Sequence, residues 1–214
     1  MIVDEVEISK CDEVVHIQKN RVSQVYDGIF LGLITSLQPI KRNEMRKIAH
    51  KIFFESVKKE IEYKEIKRNS IINSVLLLDR DGNEHVLFYT FSYSDNRAVY
   101  MHSVLYDVGI DLVNPYRIIH MDLNFYALST DNYRELVGTS YDCKTLSWCL
   151  QEAISKLQKT GLNEKYIITN TAYNKDQNEY CINYFNNVNK VMNTCTCKFI
   201  SFDGFCLCIV YAKR

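Results

Sequence analysis

Two stretches of the chain carry apolar residues at the three-and-four spacing of an amphipathic helix, and they constrain the fold most strongly. The first stripe consists of Met45, Ile48, Ala49, Ile52, Phe53, Val57 and Ile61. The second, within residues 141–159, consists of Leu146, Leu150, Ala153, Ile154 and Leu157, and Gly161 follows it as the expected helix stop. Apolar positions that recur with the helical period cover one face, so each stretch predicts a helix packed on another element.

Runs of β-branched and aromatic residues around these helices indicate strands. Residues 72–78 and 85–89 flank Asp81-Gly82, and the terminal run 194–212 flanks Asp203-Gly204, a dipeptide typical of hairpin turns. Strands are also expected at 117–127 and 166–170 and a third helix at 176–188, while residues 98–106 fit either state. The pattern predicts an α/β or α+β fold with a mixed central sheet flanked by helices.

Length and composition indicate a globular chain. Of the 214 residues, 47% are hydrophobic and 24% charged, and only 7 Gly and 2 Pro are present, which leaves little room for linkers. We expect residues 1–70 to form a mainly helical N-terminal extension and residues 71–214 an α/β core, together one compact unit.

The N-terminal residues and the cysteines indicate an intracellular protein. The chain begins with an acidic segment rather than a basic signal peptide, and its longest apolar stretch, residues 28–37, is about half a membrane span. We therefore expect no membrane span, a cytoplasmic or nuclear location, and eight reduced cysteines rather than disulfides. The abundance of Ile, Asn, Lys and Tyr is typical of AT-rich genomes, including those of viruses and mobile elements.

A basic segment lies in a chain whose formal net charge is zero. Residues 41–68 contain ten Lys or Arg and five Glu, a local charge of +5. Such a segment is either an ordinary solvated helix face or a surface that contacts the phosphates of nucleic acid. In the second case, reversal of Lys51, Lys58 and Lys59 to Glu should flatten the salt dependence of binding.

Four of the cysteines form the pattern Cys195-x-Cys197 and Cys206-x-Cys208 in the terminal hairpin. A two-residue turn at Asp203-Gly204 would place Cys197 opposite Val210 and Cys208 opposite Phe199. Cys197 and Cys206 would then lie roughly 13 Å apart along the ladder. Because this distance is too great for ligands of one zinc ion, we interpret the four thiols as core residues.

Cys143, at the start of the second helix, raises a separate possibility. The order of His85 and then Cys143 at a helix start resembles the permuted papain-like hydrolases and acyltransferases, in which an imidazole and the helix dipole lower the thiol pKa. The alternative is that Cys143 belongs to the apolar stripe and packs in the core.

The segment Asp107-Val108-Gly109-Ile110-Asp111-Leu112 resembles the Asp-x-Gly-x-Asp-Leu segment of Mrr-type restriction endonucleases, in the PD-(D/E)xK nuclease superfamily. Residues 166–173 and 179–181 are similar to that family's following strand and helix. The resemblance implies a metal-dependent nuclease core over roughly residues 100–205.

The resemblance also implies a set of site residues. Asp111 and Asp122 would hold Mg²⁺, which polarises the phosphate and activates water. Asn124 stands where the family keeps its catalytic lysine, so another element would have to supply the positive charge. Lys144 is the nearest candidate, although its wheel position directs it to solvent. Asp107 and Asp111 can equally be read as a polar turn between strands.

Three functions therefore remain open: a degenerate metal-dependent nuclease that engages nucleic acid, a papain-like cysteine hydrolase using Cys143 and His85, and a non-catalytic interaction protein. The third, such as an immunity factor or a viral antagonist, would bind a protein partner. Whether the chain is an enzyme is left undecided by its sequence.

Overall fold

The computed structural model describes residues 2–10, 13–26, 28–60, 65–69, 74–78, 81–118, 142–160, 166–187, 189–202 and 204–214. The chain divides into two compact units, Met1–Tyr106 and Asp107–Arg214. Each unit contains an antiparallel sheet and one long helix.

The first unit contains seven strands and helix α1. The strands are β1 (Ile2–Lys10), β2 (Glu13–Tyr26), β3 (Ile29–Ser36), β4 (Glu65–Asn69), β5 (Ser74–Leu78), β6 (Glu84–Ser94) and β7 (Arg97–Ser103), and α1 is Arg42–Glu60. They form one sheet in the order β1-β2-β3-β7-β6-β5-β4, with antiparallel pairing throughout.

In the second unit, the described residues form five strands and two helices. The strands are β8 (Tyr106–Val113), β9 (Tyr166–Asn174), β10 (Glu179–Asn186), β11 (Met192–Phe202) and β12 (Phe205–Lys213); the helices are α2 (Pro115–Ile118) and α3 (Cys143–Gln158). The sheet order is β8-β12-β11-β10-β9, in which β9 to β12 form an antiparallel meander that returns to β8. α3 therefore stands between the two outer strands in sequence.

The core of the first unit lies between α1 and the sheet and is aromatic. The predicted stripe from Met45 to Val57 is buried there. Phe53 is at its centre, with rings from two strands, β6 and β7, around it: Tyr89, Phe91, Tyr100 and His102. Tyr100 lies over Gly32 of β3, where a Cβ atom would be 2.0 Å from the ring.

The core of the second unit lies between α3 and its sheet. The stripe from Leu146 to Leu157 is fully buried against residues of β9 to β12. Asp142 caps the helix, since its side chain accepts a hydrogen bond from the Thr145 amide at 2.8 Å. The helix ends at Lys159, which has left-handed backbone geometry, rather than at Gly161, which lies outside the described residues.

Several sequence predictions are confirmed. Both amphipathic helices form, β5 and β6 make the predicted hairpin, and residues 166–170 are a strand. The terminal hairpin has the predicted register, with Cys197 opposite Val210 and Cys208 opposite Phe199. Residues 98–106, which fitted either state, belong to β7, the following bend and the start of β8.

The helical prediction for residues 1–70 is wrong for residues 2–10, 13–26 and 29–36, which form three strands, and among the described residues of that region the one helix is α1. The helix predicted at 176–188 is also wrong. These residues contain β10, in which Tyr180, Ile182 and Tyr184 are buried at alternate positions. This period of two is typical of a strand, but counting the apolar residues in the segment did not distinguish it from the period of a helix.

The expected mixed central sheet is replaced by two antiparallel sheets, so the fold is α+β. Short connections such as those between β6 and β7 or β11 and β12 permit only antiparallel neighbours. Of the strand predicted at 117–127, Arg117 lies in α2 and the residues after Ile118 lie outside the described part. Among the described helices, none has the length and hydrophobicity that a membrane span requires.

Candidate functional site

The acidic residues of β8 lie where α3 packs on the sheet. Asp107, Gly109 and Asp111 share the strand face toward α3, while Val108 and Ile110 are buried on the other face. A Cβ atom on Gly109 would be 2.1 Å from the Ala153 carbonyl oxygen of α3. The absence of a side chain at Gly109 therefore allows the helix backbone to approach β8 closely.

This close approach brings two lysines of α3 to the two aspartates. Lys156 Nζ lies 2.7 Å from Asp111 Oδ1 and also donates to the Ile110 carbonyl oxygen at 2.9 Å. One turn later, Lys159 Nζ lies 2.9 Å from Asp107 Oδ1, and Arg214 Nε lies 3.6 Å from the same oxygen. The Asp111 side chain is 7% exposed and the Asp107 side chain 33% exposed, so only the first pair is largely shielded from water.

The geometry gives the Asp-x-Gly-x-Asp segment a packing role. Gly109 admits the helix, and the aspartates two residues before and after it receive the helix lysines. Asp111 is thus placed beside a cation, as a nuclease site would need, but that cation is Lys156. Lys144, the candidate from sequence, lies half-buried at the opposite end of α3.

Asp122 and Asn124, the other two predicted site residues, lie outside the described residues. Within the described ranges, no group of three or more His, Cys, Asp or Glu side chains is placed to hold a metal ion. Of the two predicted Mg²⁺ ligands, Asp111 therefore lies among the described residues and Asp122 does not, and the metal site stays a prediction.

Sequence reasoning missed Lys156 and Lys159. A usable signal was present: two lysines three residues apart lie at the end of the second predicted helix, and two aspartates flank a glycine in the segment from Asp107 to Asp111. The pairing itself depends on α3 packing over β8, which neither segment specifies alone.

Cys143 occupies the first turn of α3 and is half-buried against the core. Its Sγ atom lies 3.8 Å from Ser147 Oγ. His85 lies on β6 of the first unit, so the Cys143–His85 pair stays a prediction.

The four cysteines of the terminal hairpin are buried in the core of the second unit, at most 3% exposed. Cys197 Sγ and Cys208 Sγ lie 3.7 Å apart, and Cys149 of α3 donates a weak hydrogen bond to the Cys206 carbonyl oxygen. Burial raises the pKa of the Cys195 and Cys208 thiols well above their usual value. The Cys195 and Cys208 thiols are therefore protonated at neutral pH and act as small core residues.

A second candidate site is the outer face of α1. Four exposed cations lie on this helix and a fifth, Lys41, immediately precedes it; we call the five the α1 basic surface: Lys41, Arg42, Arg46, Lys47 and Lys51. In the part of the chain that the structure describes, no ion pair joins any of the five to a carboxylate. The side chains of Lys58 and Lys59 are outside that part.

The α1 basic surface lies above an aromatic layer of β6. Burial raises the pKa of the Tyr93 hydroxyl, and the positive charges of Arg46 and Arg42 act in the opposite direction. The guanidinium groups are therefore close enough to Tyr93 to influence its ionisation.

Comparison with known proteins adds no family to this description: neither a protein-family model nor a curated protein matches the chain.

Proposed function

We propose that the chain binds nucleic acid through the α1 basic surface. The observation that carries the proposal is five exposed cations, four on α1 and one immediately before it, without carboxylate partners among the described residues. From Arg42 to Lys51 the helix rises about 14 Å, so cations spread over this length can contact several phosphates of one strand.

The arrangement is unfavourable for the helix alone, which supports a binding role. Arg42 and Arg46, and likewise Lys47 and Lys51, are like charges four residues apart, and each such pair destabilises a helix by roughly 0.2–0.5 kcal/mol. Lys41 and Arg42 also stand at the helix N-terminus, where the helix dipole favours anions. Bound phosphates would relieve both effects.

The test is the salt dependence of binding to a fluorescent single-stranded DNA and to a duplex. A triple reversal of Arg46, Lys47 and Lys51 to Glu should lower affinity at least tenfold and reduce the slope of log K against log salt by about 2, because each phosphate contact contributes roughly 0.7–0.9.

The matched control reverses three lysines of the second unit, Lys175, Lys198 and Lys213, to Glu. It changes the net charge equally and should leave most of the affinity and slope intact. An equal loss in both variants would attribute binding to overall charge and contradict the proposal.

A metal-dependent nuclease is the second candidate, and one observation favours it: the shielded Asp111 carboxylate lies 2.7 Å from a lysine amine. Such a pair combines a ligand for Mg²⁺ with a cation for the charge that develops on phosphate. In the presence of Mg²⁺ or Mn²⁺, Asp111→Asn should abolish cleavage, whereas Asp107→Asn should retain it. Cleavage that needs no metal, or that survives Asp111→Asn, would exclude this candidate.

A further inference from the structure

A row of aromatic side chains on β6 lies beside the α1 basic surface. Tyr89, Phe91 and Tyr93 alternate along the strand and share its face toward α1; we call them the β6 aromatic row. All three side chains are half-buried, whereas Phe53 of α1, at the centre of the same core, is fully buried. Each member of the row therefore contributes to the core and still exposes part of its side chain to solvent.

One strip of α1 lies along this row. Its members are four residues apart and so share one side of the helix: Arg42, Arg46, His50 and Phe54. The His50 ring is stacked on Phe91, with centroids 4.2 Å apart and planes 16° apart. The Phe91 ring is in turn parallel to the Tyr93 ring within 9°, with centroids 5.9 Å apart. His50, Phe91 and Tyr93 thus form a set of nearly parallel rings, and His50 is half-buried like the other two.

Positive charge is concentrated at the Tyr93 end of the row. Arg42 and Arg46 influence the ionisation of Tyr93, so both guanidinium groups lie close to it. Neither arginine forms an ion pair with a carboxylate among the residues that the structure describes. Half-exposed rings and cations that could hold an external anion therefore occur within one stretch of surface.

This combination of groups matches a single nucleic-acid strand. Such a strand exposes the phosphates of its backbone and also the flat faces of its bases, which stack on aromatic side chains. Tyr89 and Tyr93 are four residues apart, about 13 Å at strand rise, and stacked bases repeat at about 3.4 Å, so the row has room for two or more bases. In a duplex, neighbouring bases cover these flat faces, so a duplex could contact only the cations.

We infer that the α1 basic surface and the β6 aromatic row together bind single-stranded nucleic acid in preference to a duplex. The cations hold the phosphates, and one or more bases stack on the exposed parts of His50, Phe91 and Tyr93. This inference rests on the proposed function, because it requires that the α1 basic surface bind nucleic acid. It adds the bases as a second set of contacts and so names the form of nucleic acid that the site selects.

The test uses the full chain and three fluorescent ligands: an oligothymidylate of twelve nucleotides, an abasic strand with the same number of phosphates, and a duplex of twelve base pairs. Fluorescence anisotropy should show that the oligothymidylate binds at least tenfold more tightly than the abasic strand, because stacking of one base contributes about a factor of ten. The duplex should bind at least fivefold more weakly than the oligothymidylate. These three measurements need no altered protein.

Variants separate the rings from the cations. His50→Leu and Tyr93→Leu should each lower the affinity for oligothymidylate at least fivefold and leave the affinity for the abasic strand unchanged. The triple reversal of the cations should lower both affinities by the same factor. A variant that folds less well would also lose both equally, so the ratio of the two affinities reports on stacking alone. Tyr116→Leu is the matched control, since Tyr116 is 77% exposed in the second unit, and it should change neither affinity.

The outcomes distinguish this inference from the proposed function. If the oligothymidylate and the abasic strand bind equally and the triple reversal weakens both, the α1 basic surface binds nucleic acid but the bases do not stack on the rings, and this inference alone is overturned. Tighter binding of the duplex than of the oligothymidylate would overturn it as well. If none of the three ligands binds, or if the triple reversal changes nothing, both this inference and the proposed function are wrong.

Discussion

The two units share a plan, one long helix on an antiparallel sheet, but they differ in what surrounds the cations of the helix. The cations of the α1 basic surface have no carboxylate partner in the described part of the chain, whereas Lys156 and Lys159 of α3 each contact an aspartate of β8. A cation that is paired with a carboxylate contributes to the fold, and an exposed cation can bind an external anion. Among the described side chains, basic residues on a helix therefore favour a binding surface where no carboxylate pairs with them.

The two cores differ in a related way. In the first unit, the rings of Phe53, Tyr89 and Phe91 separate α1 from the sheet. In the second, Gly109 and small thiols such as Cys149 and Cys208 allow α3 to lie close to its strands. The second interface should thus tolerate added volume less well than the first.

The largest effect is expected from a methyl group at the closer interface. Gly109→Ala should lower the free energy of unfolding by about 3 kcal/mol or more, because the new Cβ atom meets helix backbone that cannot move alone. Gly32→Ala in the first unit should cost about 1–2 kcal/mol, since the obstacle there is the Tyr100 side chain. Urea unfolding of both variants measures the difference, and equal costs would contradict the proposed contrast between the cores.

The next largest effect concerns pH and the first unit. Burial lowers the pKa of His102 from 6.5 to about 4. Between these values the unfolded chain binds a proton that the folded chain does not, so the free energy of unfolding falls as the pH falls through that interval. The loss should total about 3 kcal/mol and be absent above pH 6.5.

His102 stacks on Phe30, with ring centroids 5.2 Å apart, so His102→Phe keeps an aromatic ring in the same place. The difference between the two stability profiles isolates the histidine from the carboxylates that also titrate. Parallel profiles from pH 4 to 7 would show that His102 is not buried as a neutral side chain.

The ion pairs of β8 should differ in strength. Asp111→Ala should lower the free energy of unfolding by about 2 kcal/mol, because it leaves the Lys156 amine without its carboxylate at a site shielded from water. Asp107→Ala should lower it by less than about 1 kcal/mol, because that ion pair is more exposed. Adding 1 M NaCl should reduce the effect of the Asp107 change and preserve most of the effect of the Asp111 change. A similar salt response in both would mean that the two pairs are equally solvated.

The smallest effect should be a gain in stability. Arg46→Glu removes the repulsion between Arg42 and Arg46 and adds an anion near the N-terminus of α1, so it should stabilise the fold by about 0.5 kcal/mol. Arg46→Gln should give about half of that gain. If the chain is instead destabilised, Arg46 has a structural role and its place in the α1 basic surface must be reconsidered.

Local sequence patterns predicted the elements whose signals are complete within one segment. The stripe from Met45 to Val57, the β5–β6 hairpin and the opposition of Cys197 and Val210 each depend on residues close in sequence, and all are present in the fold. Residues 176–188 contain apolar side chains compatible with either period, and pairing with β9 and β11 makes them a strand. The same limit explains why β1, β2 and β3 were wrongly predicted as helical, because their strand structure depends on pairing with one another and not on a pattern within one segment.

For the site, sequence alone determined the spacing of Asp107, Gly109 and Asp111 and the five cations within residues 41–51, at the start of a predicted helix; the structure shows that the two aspartates share a strand face with Gly109. The tertiary structure decided which of these charged side chains form ion pairs. Packing of α3 over Gly109 brings Lys156 to Asp111, and among the side chains that the structure describes no carboxylate forms an ion pair with the α1 basic surface. The physical reason is that an ion pair depends on a distance of a few ångströms between residues 45 positions apart, and only the packing of helix on sheet sets that distance.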